Sequence, residues 1–418
     1  MKIVVAGQGY VGLPLGVRAA EVGHRVIGYE VDAHRVQQLA AGHSFAEDVA
    51  SPRLRAVLDS GAYSATTDAA ALDGFDIAVI TVPTPLRDGV PDLTYIAACA
   101  RTVGEHLRPG ATVVLESTTY PGCTEELLVP ILEKASGLRA GVDFLSGFSP
   151  ERIAPGNKRW SFEGTPKVVS GIDAKSLDVI KGFYDGIFQT TVPVSGPKVA
   201  ELAKLLENTF RLVNISLVNE LAMLAEPLGV NVWEAIDAAA TKPFGFTRFT
   251  PGPGVGGHCL PVDPLFLSWK IEQELGVPFR FVDLADDVNR RMPDYVVQRV
   301  VDGLDKRGLP IKGSRILLLG LTYKYNATDL RNSPSARVAE LLTNLGAEVC
   351  GADPNVQDSD IGRLNVRWVE ASPQEVATAD AVVLLMDHTR FDLGMIEETA
   401  SYVLDCRNRL SGAHVETL

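Results

Sequence analysis

No run of about eighteen uninterrupted apolar residues occurs in the sequence, so no membrane-spanning helix is expected. Cysteine is scarce: Cys99, Cys123, Cys259, Cys350 and Cys406 are odd in number, scattered, and nowhere spaced as CxxC. That argues against a disulfide framework and against a zinc site, and it points to a reducing cytoplasm. The seven histidines lack ligand spacing as well, so no metal is expected. A basic excess is also missing. Lys and Arg total 39 against 52 Asp and Glu, a net charge of −13, which argues against nucleic acid as a partner. An acidic chain of this kind binds a phosphate ligand only with local help from helix N-termini and a few cations. Short repeats and low-complexity tracts are absent. The N-terminal "MKIVVAGQGYVG" runs into glycines rather than a small-residue cleavage site, so it reads as a buried strand and not a signal peptide.

What is present is enough chain for two or three domains: 418 residues, with 46% hydrophobic and 22% charged. Up to about residue 195, apolar strands alternate with amphipathic helices. "KIVVAG", "RVIGYE", "DIAVITVP", "TVVLES" and "KVVSG" are strand-like; "LPLGVRAAEVG" and "LTYIAACARTVGEHL" are helix-like. That alternation predicts a parallel sheet covered by helices on both faces. Beyond "TTVPVSGPK", apolar residues at helical spacing persist for about thirty positions, roughly 45 Å of helix at 1.5 Å per residue, with Gly229 as its stop. "KRGLPIKGSR" reads as a linker. "RILLLGL", "EVCGADP", "AVVLLMD" and "YVLDC" then mark a second, smaller α/β domain. The expected architecture is α/β: residues 1–195 and 306–418 form two Rossmann-like doubly wound domains, joined by a central helical domain at 196–305 that also pairs two chains.

Gly7, Gly9 and Gly12 form G-Q-G-Y-V-G between the first strand and a helix. The first glycine permits the tight turn, the second a close approach of pyrophosphate, the third close helix–strand packing. Glu30 follows Gly12 by eighteen residues, at the end of the second strand, where it can accept from a ribose 2′-hydroxyl. A carboxylate there repels a 2′-phosphate, so NAD is expected rather than NADP. Asp32 nearby reads as a solvated loop acid.

"PGPGVGGHCLPVDP", from Pro251 to Pro264, bares its backbone around one thiol. Either it is a turn with a cysteine in it, or something small lies against that sulfur. Cys259 sits just before the helix "LFLSWKIEQEL", whose dipole favours a thiolate. Asp263, followed by proline, has the signature of a helix N-cap. Lys204 and Asn208 lie four apart on the long helix and share one face. On spacing alone two solvated positions are the favoured reading; the apolar Leu202, Leu205 and Leu206 around them leave open that polar side chains point into a cleft.

With those residues in view, the chain resembles the UDP-glucose/GDP-mannose dehydrogenase family over nearly its full length. The motifs that carry the resemblance are G-Q-G-Y-V-G, "TVPTP" (81–85), "ESTTYPG" (116–122), "SPERIAPG" (149–156), "ELAKLLENTF" (201–210), "PGPGVGGHCLPVDP", "TYKYNATDLRNSP" (322–334) and "LDCRN" (404–408). The resemblance implies NAD as cofactor and a nucleotide-diphosphate hexose as substrate, its C6 alcohol oxidised by four electrons to a uronic acid. It implies Cys259 as the nucleophile that holds the thiohemiacetal and thioester. Asp263 and Thr118 match residues that position and activate water. Lys204 and Asn208 match the pair that steadies developing oxyanions, and Glu151 an acid/base glutamate. Cofactor contacts are implied for Gly7, Gly9, Tyr10, Val11, Gly12, Glu30, Arg35, Val82, Pro83, Thr84, Ser117, Thr119 and Arg331. Substrate contacts are implied for Arg152, Ile153, Ala154, Thr250, Pro251, Gly252, Gly254, Gly256, Tyr323, Lys324 and Arg407, the glycines letting backbone close over a diphosphosugar.

Two departures separate this sequence from the glucose-specific pattern: Pro155 where a second glutamate is usual, and Val262 where lysine is usual. Both look more like the branch that oxidises UDP-N-acetylhexosamines, with UDP- or dTDP-glucose as the other candidates. The competing readings are a two-electron β-hydroxyacid-type dehydrogenase and a non-catalytic dinucleotide-sensing protein. The first needs neither Cys259 nor a third domain, and the second needs no retained Cys259, Lys204, Asn208 and Asp263.

Overall fold

The computed structural model describes the whole chain except residues 47, 88, 154–159, 357–363 and 365. It falls into two compact units, Met1–Glu207 with Leu265–Gly276, and Asn208–Pro264 with Val277–Leu418.

The first unit is built on a six-stranded parallel sheet. Its spatial order is Tyr63–Thr66, Arg25–Tyr29, Lys2–Ala6, Ile77–Ile80, Thr112–Leu115, Leu145–Phe148. The first strand lies centrally and the winding reverses beside it, which opens a crevice at the strands' carboxyl ends. Alternate residues of "KIVVA" enter opposite cores. Ile3 and Val5 pack under helix Gly12–Glu21, while Val4 and Ala6 face the side that carries helix Thr94–Glu105. A strand buried on both faces has no polar side to show, hence its continuous apolar run.

Two features differ from the sequence reading. "KVVSG" forms a strand, Lys167–Val169, but pairs with Thr191–Pro193 in a separate two-stranded parallel sheet. The end of the main sheet is already taken by Leu145–Phe148, with Ser170 donating to the Phe148 carbonyl at 3.1 Å. The edge strand Tyr63–Thr66 went unread because "YSAT" carries hydroxyls where a buried strand would be aliphatic.

The second unit repeats the winding. Its parallel sheet runs Arg367–Trp368, Glu348–Ala352, Arg315–Leu319, Ala381–Leu384, Val403–Asp405, Val415–Thr417. Ile316 and Leu318 enter one core, Leu317 and Leu319 the other. A smaller cluster joins Val218 and Ala222 to Val232, Trp233 and Ile236 of helix Val232–Ala240.

The long helix spans Pro197–Ala225, and Gly229 follows with φ +67° in the turn beyond it. Its apolar residues Phe210, Leu217, Leu221 and Leu224 fall on one stripe and are 45–57% exposed. Helix Arg280–Asp305 ends where the linker was expected. No helix among the described residues is long and apolar enough to cross a membrane.

Candidate active site

The glycine turn stands at the carboxyl end of the central strand of the first sheet. Gly7 has φ +95°, and a Cβ there would lie 2.8 Å from the Thr81 carbonyl. At Gly12 a Cβ would lie 1.9 Å from the Gly7 carbonyl, so the helix can start where it does only without one. Gly9, by contrast, would meet nothing within 4 Å, which leaves open space above the turn for a ligand. Glu30 is buried at the end of the second strand. Its carboxylate accepts from the Gln8 backbone N–H at 2.9 Å and the Asp32 N–H at 3.1 Å, and Arg35 stands 3.3 Å away. Asp32 is the N-cap of helix Ala33–Ala40, a more defined role than a solvated acid. Tyr10 is half exposed and meets the Phe45 ring edge-on at 5.6 Å, with the Arg35 guanidinium 5.2 Å from the same ring; Val11 is half-buried.

Sequence reasoning missed two buttresses here. The buried Gln8 side chain donates to the Val5 carbonyl at 2.7 Å and accepts from Tyr63 OH at 2.7 Å, and Thr81 Oγ1 donates to the Gly7 carbonyl at 2.7 Å. A glutamine inside a glycine fingerprint was the available signal for the first.

The "TVPTP" turn and the "ESTTYPG" segment leave neighbouring strands of the same sheet. Ser117 Oγ donates to the Val82 carbonyl at 2.7 Å and joins them. Pro83 is exposed, Thr84 and Thr119 are buried, and Thr118 is half-buried. Glu201 is buried on the long helix and accepts from Thr124 N–H at 2.9 Å, fixing that helix's first turns beside this segment.

Glu151 follows the last strand of this sheet. Its Oε1 accepts the backbone N–H groups of Arg152 at 2.6 Å and Ile153 at 2.5 Å, and its Oε2 lies 3.4 Å from Lys167 Nζ. Arg152 turns toward Glu207 at 2.7 Å and the Pro166 carbonyl at 2.8 Å. Ile153 is half-buried, and Ala154 lies outside the described residues. Behind Glu151, Lys167 contacts Glu116 Oε1 at 3.0 Å, and Tyr184 OH donates to the same oxygen. Burial pushes the Glu116 carboxyl above its ordinary range. Burial also opposes the Lys167 charge, but Glu116 and Glu151 outweigh it and hold the ammonium above its usual value. A lysine at the start of an apolar strand and a glutamate at the end of another were the signals for this cluster, and both resemble ordinary strand-end charges.

The thiol loop belongs to the second unit. Cys259 is exposed and its carbonyl accepts the Asp263 N–H at 2.8 Å, so the loop turns directly into helix Asp263–Leu275. Asp263 is the first residue of that helix and is buried. Its Oδ2 accepts from Asn208 Nδ2 at 2.6 Å, which brings together two of the residues singled out and sets both beside the cysteine's own turn. Lys204, one turn earlier on the long helix, is half-buried. Cys99, Cys123 and Cys406 are buried thiols, each pushed up to about 12 by burial, and do not compete as nucleophiles. Burial, with the charge of Arg331, holds His258 below its usual value and so favours the neutral ring.

The glycines of the loop are explained largely by the protein itself. A Cβ on Gly257 (φ +88°) would lie 2.4 Å from the Tyr323 ring, and one on Gly256 would lie 2.6 Å from Tyr323 Cβ. On Gly252 it would lie 2.9 Å from the Arg407 guanidinium, and on Gly254 (φ +125°) 3.1 Å from the Asn289 carbonyl. The expectation that these glycines serve closure over a ligand therefore needs widening: they let the loop backbone lie directly on Tyr323 and Arg407. Gly252 N–H donates at 2.9 Å to Asn219, itself bonded to Asn289 at 2.8 Å, a buried amide pair that pins the loop. Thr250 is half-buried and Pro251 buried beside it.

Tyr323 and Lys324 follow the central strand of the second sheet, at its carboxyl end. The buried Asp353 accepts the Leu321 and Thr322 N–H groups at 2.8 and 3.1 Å and meets His388 Nε2 at 3.0 Å; His388 Nδ1 accepts the Asn326 N–H at 2.9 Å. Arg407 donates Nε–H to the Leu385 carbonyl at 2.7 Å. Arg331 lies in this second unit, apart in sequence from the other residues assigned to the cofactor, and its guanidinium clasps Asp329 at 2.7 Å.

A glycine turn at the carboxyl end of a central parallel strand, closed by a buried acid at the end of the second strand, is the arrangement of a dinucleotide-binding α/β protein. Comparison with known proteins narrows that class. Family models describing the UDP-glucose/GDP-mannose dehydrogenase NAD binding domain, central domain and UDP binding domain match residues 1–188, 198–291 and 317–412. A UDP-N-acetyl-D-mannosamine dehydrogenase of Pyrococcus horikoshii is 36% identical over 94% of this chain and 90% of its own length. A UDP-N-acetyl-D-glucosamine 6-dehydrogenase of Pseudomonas aeruginosa is 36% identical over 94% and 91%. A solved structure of the UDP-N-acetylmannosamine dehydrogenase from P. horikoshii superposes with a TM-score of 0.90 at 34% identity, covering 100% of this chain and 99% of that one. The chain belongs to the UDP-glucose/GDP-mannose dehydrogenase family; it is an NAD-dependent nucleotide-sugar dehydrogenase.

Proposed function

We propose that the chain oxidises a UDP-N-acetylhexosamine at C6 to the uronic acid, with Cys259 as the covalent nucleophile. The observation that carries this reading is the Asn208–Asp263 hydrogen bond beside the turn of an exposed cysteine, on the segment the sequence singled out for chemistry. The acetamido sugar is favoured by the relatives' substrates and by Val262 and Pro155 in place of lysine and glutamate.

Gly7, Gly9, Tyr10, Val11, Gly12, Glu30, Arg35, the turn at Val82–Thr84 and the Ser117–Thr119 segment hold NAD, and the family resemblance adds Arg331 as a further cofactor contact. The open space at Gly9 and the buried acid at Glu30 fit a dinucleotide with a free 2′-hydroxyl. When bound, NAD supplies the acceptor for the two hydrides that leave C6. Cys259 adds through sulfur to the aldehyde carbon, holds it as a thiohemiacetal, and carries the acyl group as a thioester after the second oxidation. Lys204 and Asn208 donate to the oxygen that bears negative charge at each stage. Asp263 and Thr118 place the water, and Glu151 takes its proton as the C–S bond breaks and the thiolate leaves. Over a turnover one alcohol and one water give one carboxylate, two NADH and three protons. Thr250–Gly256, Arg152–Ala154, Tyr323, Lys324 and Arg407 hold the sugar nucleotide.

In this reading residues 1–195 serve NAD, 306–418 the sugar nucleotide, and 196–305 the thiol and a homodimer contact. The exposed stripe Phe210–Leu224 supports the pairing, since a monomer rarely leaves such a patch in water. An exposed catalytic thiol suits a reducing cytoplasm.

The test is a panel of UDP-N-acetylglucosamine, UDP-N-acetylmannosamine, UDP-glucose and dTDP-glucose with NAD, reading NADH and uronic acid. Turnover of a glucose nucleotide alone would refute the assignment to acetamido sugars. Light scattering at micromolar concentration tests the pairing, and a monomer would refute it.

A further inference from the structure

The charge cluster behind Glu151 has no part in the chemistry described so far. Lys167 is 2% exposed and shared between two carboxylates, 3.0 Å from Glu116 Oε1 and 3.4 Å from Glu151 Oε2. Glu116 is 1% exposed; its Oε1 also accepts from Tyr184 OH, while its Oε2 is buried with no hydrogen-bond partner among the described residues. Stability does not ask for this arrangement. A buried ion pair is often no better than apolar side chains of the same volume, and a dry carboxylate oxygen is a plain cost. Groups that keep such a cost often stand beside a site whose proton affinity must be set.

The geometry matches that need. Glu151 is held through both oxygens: backbone N–H groups of Arg152 and Ile153 fix Oε1, and the ammonium fixes Oε2. Among the described residues of this unit, the charged and titratable groups around it are Lys167, Glu116 and Tyr184 from the elements behind it. Arg152 on its own segment directs its guanidinium to Glu207 and the Pro166 carbonyl. Glu116 competes with Glu151 for one ammonium. It also directly precedes Ser117 and Thr118, so the same cluster fixes the start of that segment.

We propose that Lys167 and Glu116 are positioning residues for Glu151. Lys167 aims and ionises the Glu151 carboxylate, while Glu116 draws part of that positive charge away and leaves Glu151 basic enough to take a proton from water. The proposal rests on the reading of Glu151 as the base of thioester hydrolysis. Water adds its oxygen to the thioester carbon and its proton to Glu151; the C–S bond then breaks, the electron pair leaves on sulfur, and the proton later returns to solvent.

The two residues make opposite predictions, which a merely structural role would not. In the full-length enzyme, assayed with NAD and whichever nucleotide sugar of the panel above is turned over, the acid limb of log kcat against pH reports Glu151. Lys167→Met removes the cation and moves that limb to higher pH, by about one unit or more for an opposite charge this close. Glu116→Gln removes the competing anion and moves it to lower pH. Lys167→Arg restores the limb toward its original place. Intact mass should show the thioester accumulating in Lys167→Met at neutral pH.

Both limbs staying in place, or both moving in the same direction, overturns the proposal. If Lys167→Met fails to fold, the near-isosteric Glu116→Gln carries the test alone, and an unmoved limb there is decisive against it. Glu151→Gln separates the two claims. Retained activity with the limb intact overturns the reading of Glu151 and the proposal with it. Loss of the limb in Glu151→Gln, with Glu116→Gln like wild type, overturns the positioning proposal alone.

Discussion

Asn208 donates its side-chain amide to Asp263 across 2.6 Å, although 55 residues separate them in sequence. Both side chains are almost fully buried, so the bond is not exchanged with water. It ties the middle of the long helix to the first residue of the helix that follows the thiol loop. Asp263 also donates its backbone N–H to the Cys259 carbonyl, so the cysteine's turn is fixed from the same residue. An amide and a carboxylate held this way keep a fixed geometry, which is what the preorganisation asked of them in the proposed mechanism requires.

Cys259→Ala should leave folding almost untouched, because the side chain is exposed and surface changes usually stay within about 0.5 kcal/mol. Carboxylate formation should disappear, with no covalent adduct by intact mass. Cys259→Ser should fold and bind both ligands while losing nearly all turnover, since an alkoxide is a poorer leaving group than a thiolate. Wild-type enzyme should give two NADH per uronic acid. A ratio of one, or full activity in Cys259→Ala, would place the chain with two-electron dehydrogenases.

Gly257→Ala puts a methyl group into the Tyr323 ring and asks alanine for a left-handed backbone. The loop must lift from Tyr323 and Arg407. The apparent constant for the sugar nucleotide should rise about tenfold or more, equivalent to ~1.4 kcal/mol, while that for NAD changes little. Steady-state kinetics with each substrate varied in turn measures both, and equal changes would show that the loop's seat does not serve the sugar nucleotide.

Glu30→Gln keeps the shape at the end of the second strand and removes the charge. The preference for NAD over NADP should fall about tenfold or more, because a 2′-phosphate no longer meets a carboxylate. Stability should also fall by about 1–3 kcal/mol, since the buried acceptor for the Gln8 and Asp32 N–H groups is weakened. An unchanged ratio of kcat/KM values would take Glu30 out of cofactor choice.

Asp353 carries a pH dependence. Burial alone would raise its carboxyl, but the hydrogen bond with His388, together with backbone N–H groups, outweighs burial and holds it below its ordinary value. A carboxyl depressed in the fold stabilises it above the unfolded value, near 3.9, and loses that contribution as pH falls through the native value. Melting temperature should therefore drop below about pH 4. Asp353→Asn should start lower at pH 7 and show a shallower acid drop, as measured by thermal scans between about pH 2 and 7. A parallel displacement of the two curves would contradict this account.

The parts of the molecule written in backbone chemistry were legible from the chain alone. G-Q-G-Y-V-G announced its turn because only glycine fits beside the Thr81 carbonyl, and "RILLLGL" and "AVVLLMD" announced strands buried on both faces. Arg367–Trp368 and Val415–Thr417 did not, because two or three residues hold no period to read. Local spacing left Asp263 as a helix cap; the amide that reaches it comes from another helix, and no window of sequence contains both. Lys167 and Glu116 stayed hidden for a related reason. Charged residues at strand ends are usually solvated, and only tertiary packing brings these two into one dry space.

The two sheets share one winding, each with its first strand in the centre, so each unit has its own carboxyl-end crevice. That duplication has a calorimetric consequence. A ligand stabilises the body that binds it in proportion to the logarithm of its concentration. NAD should therefore raise the melt of the segment containing Met1–Glu207, and a uridine diphosphate the melt of the segment containing Val277–Leu418. Two endotherms that respond to different nucleotides would report the repeated architecture as a pair of separately addressable thermal transitions.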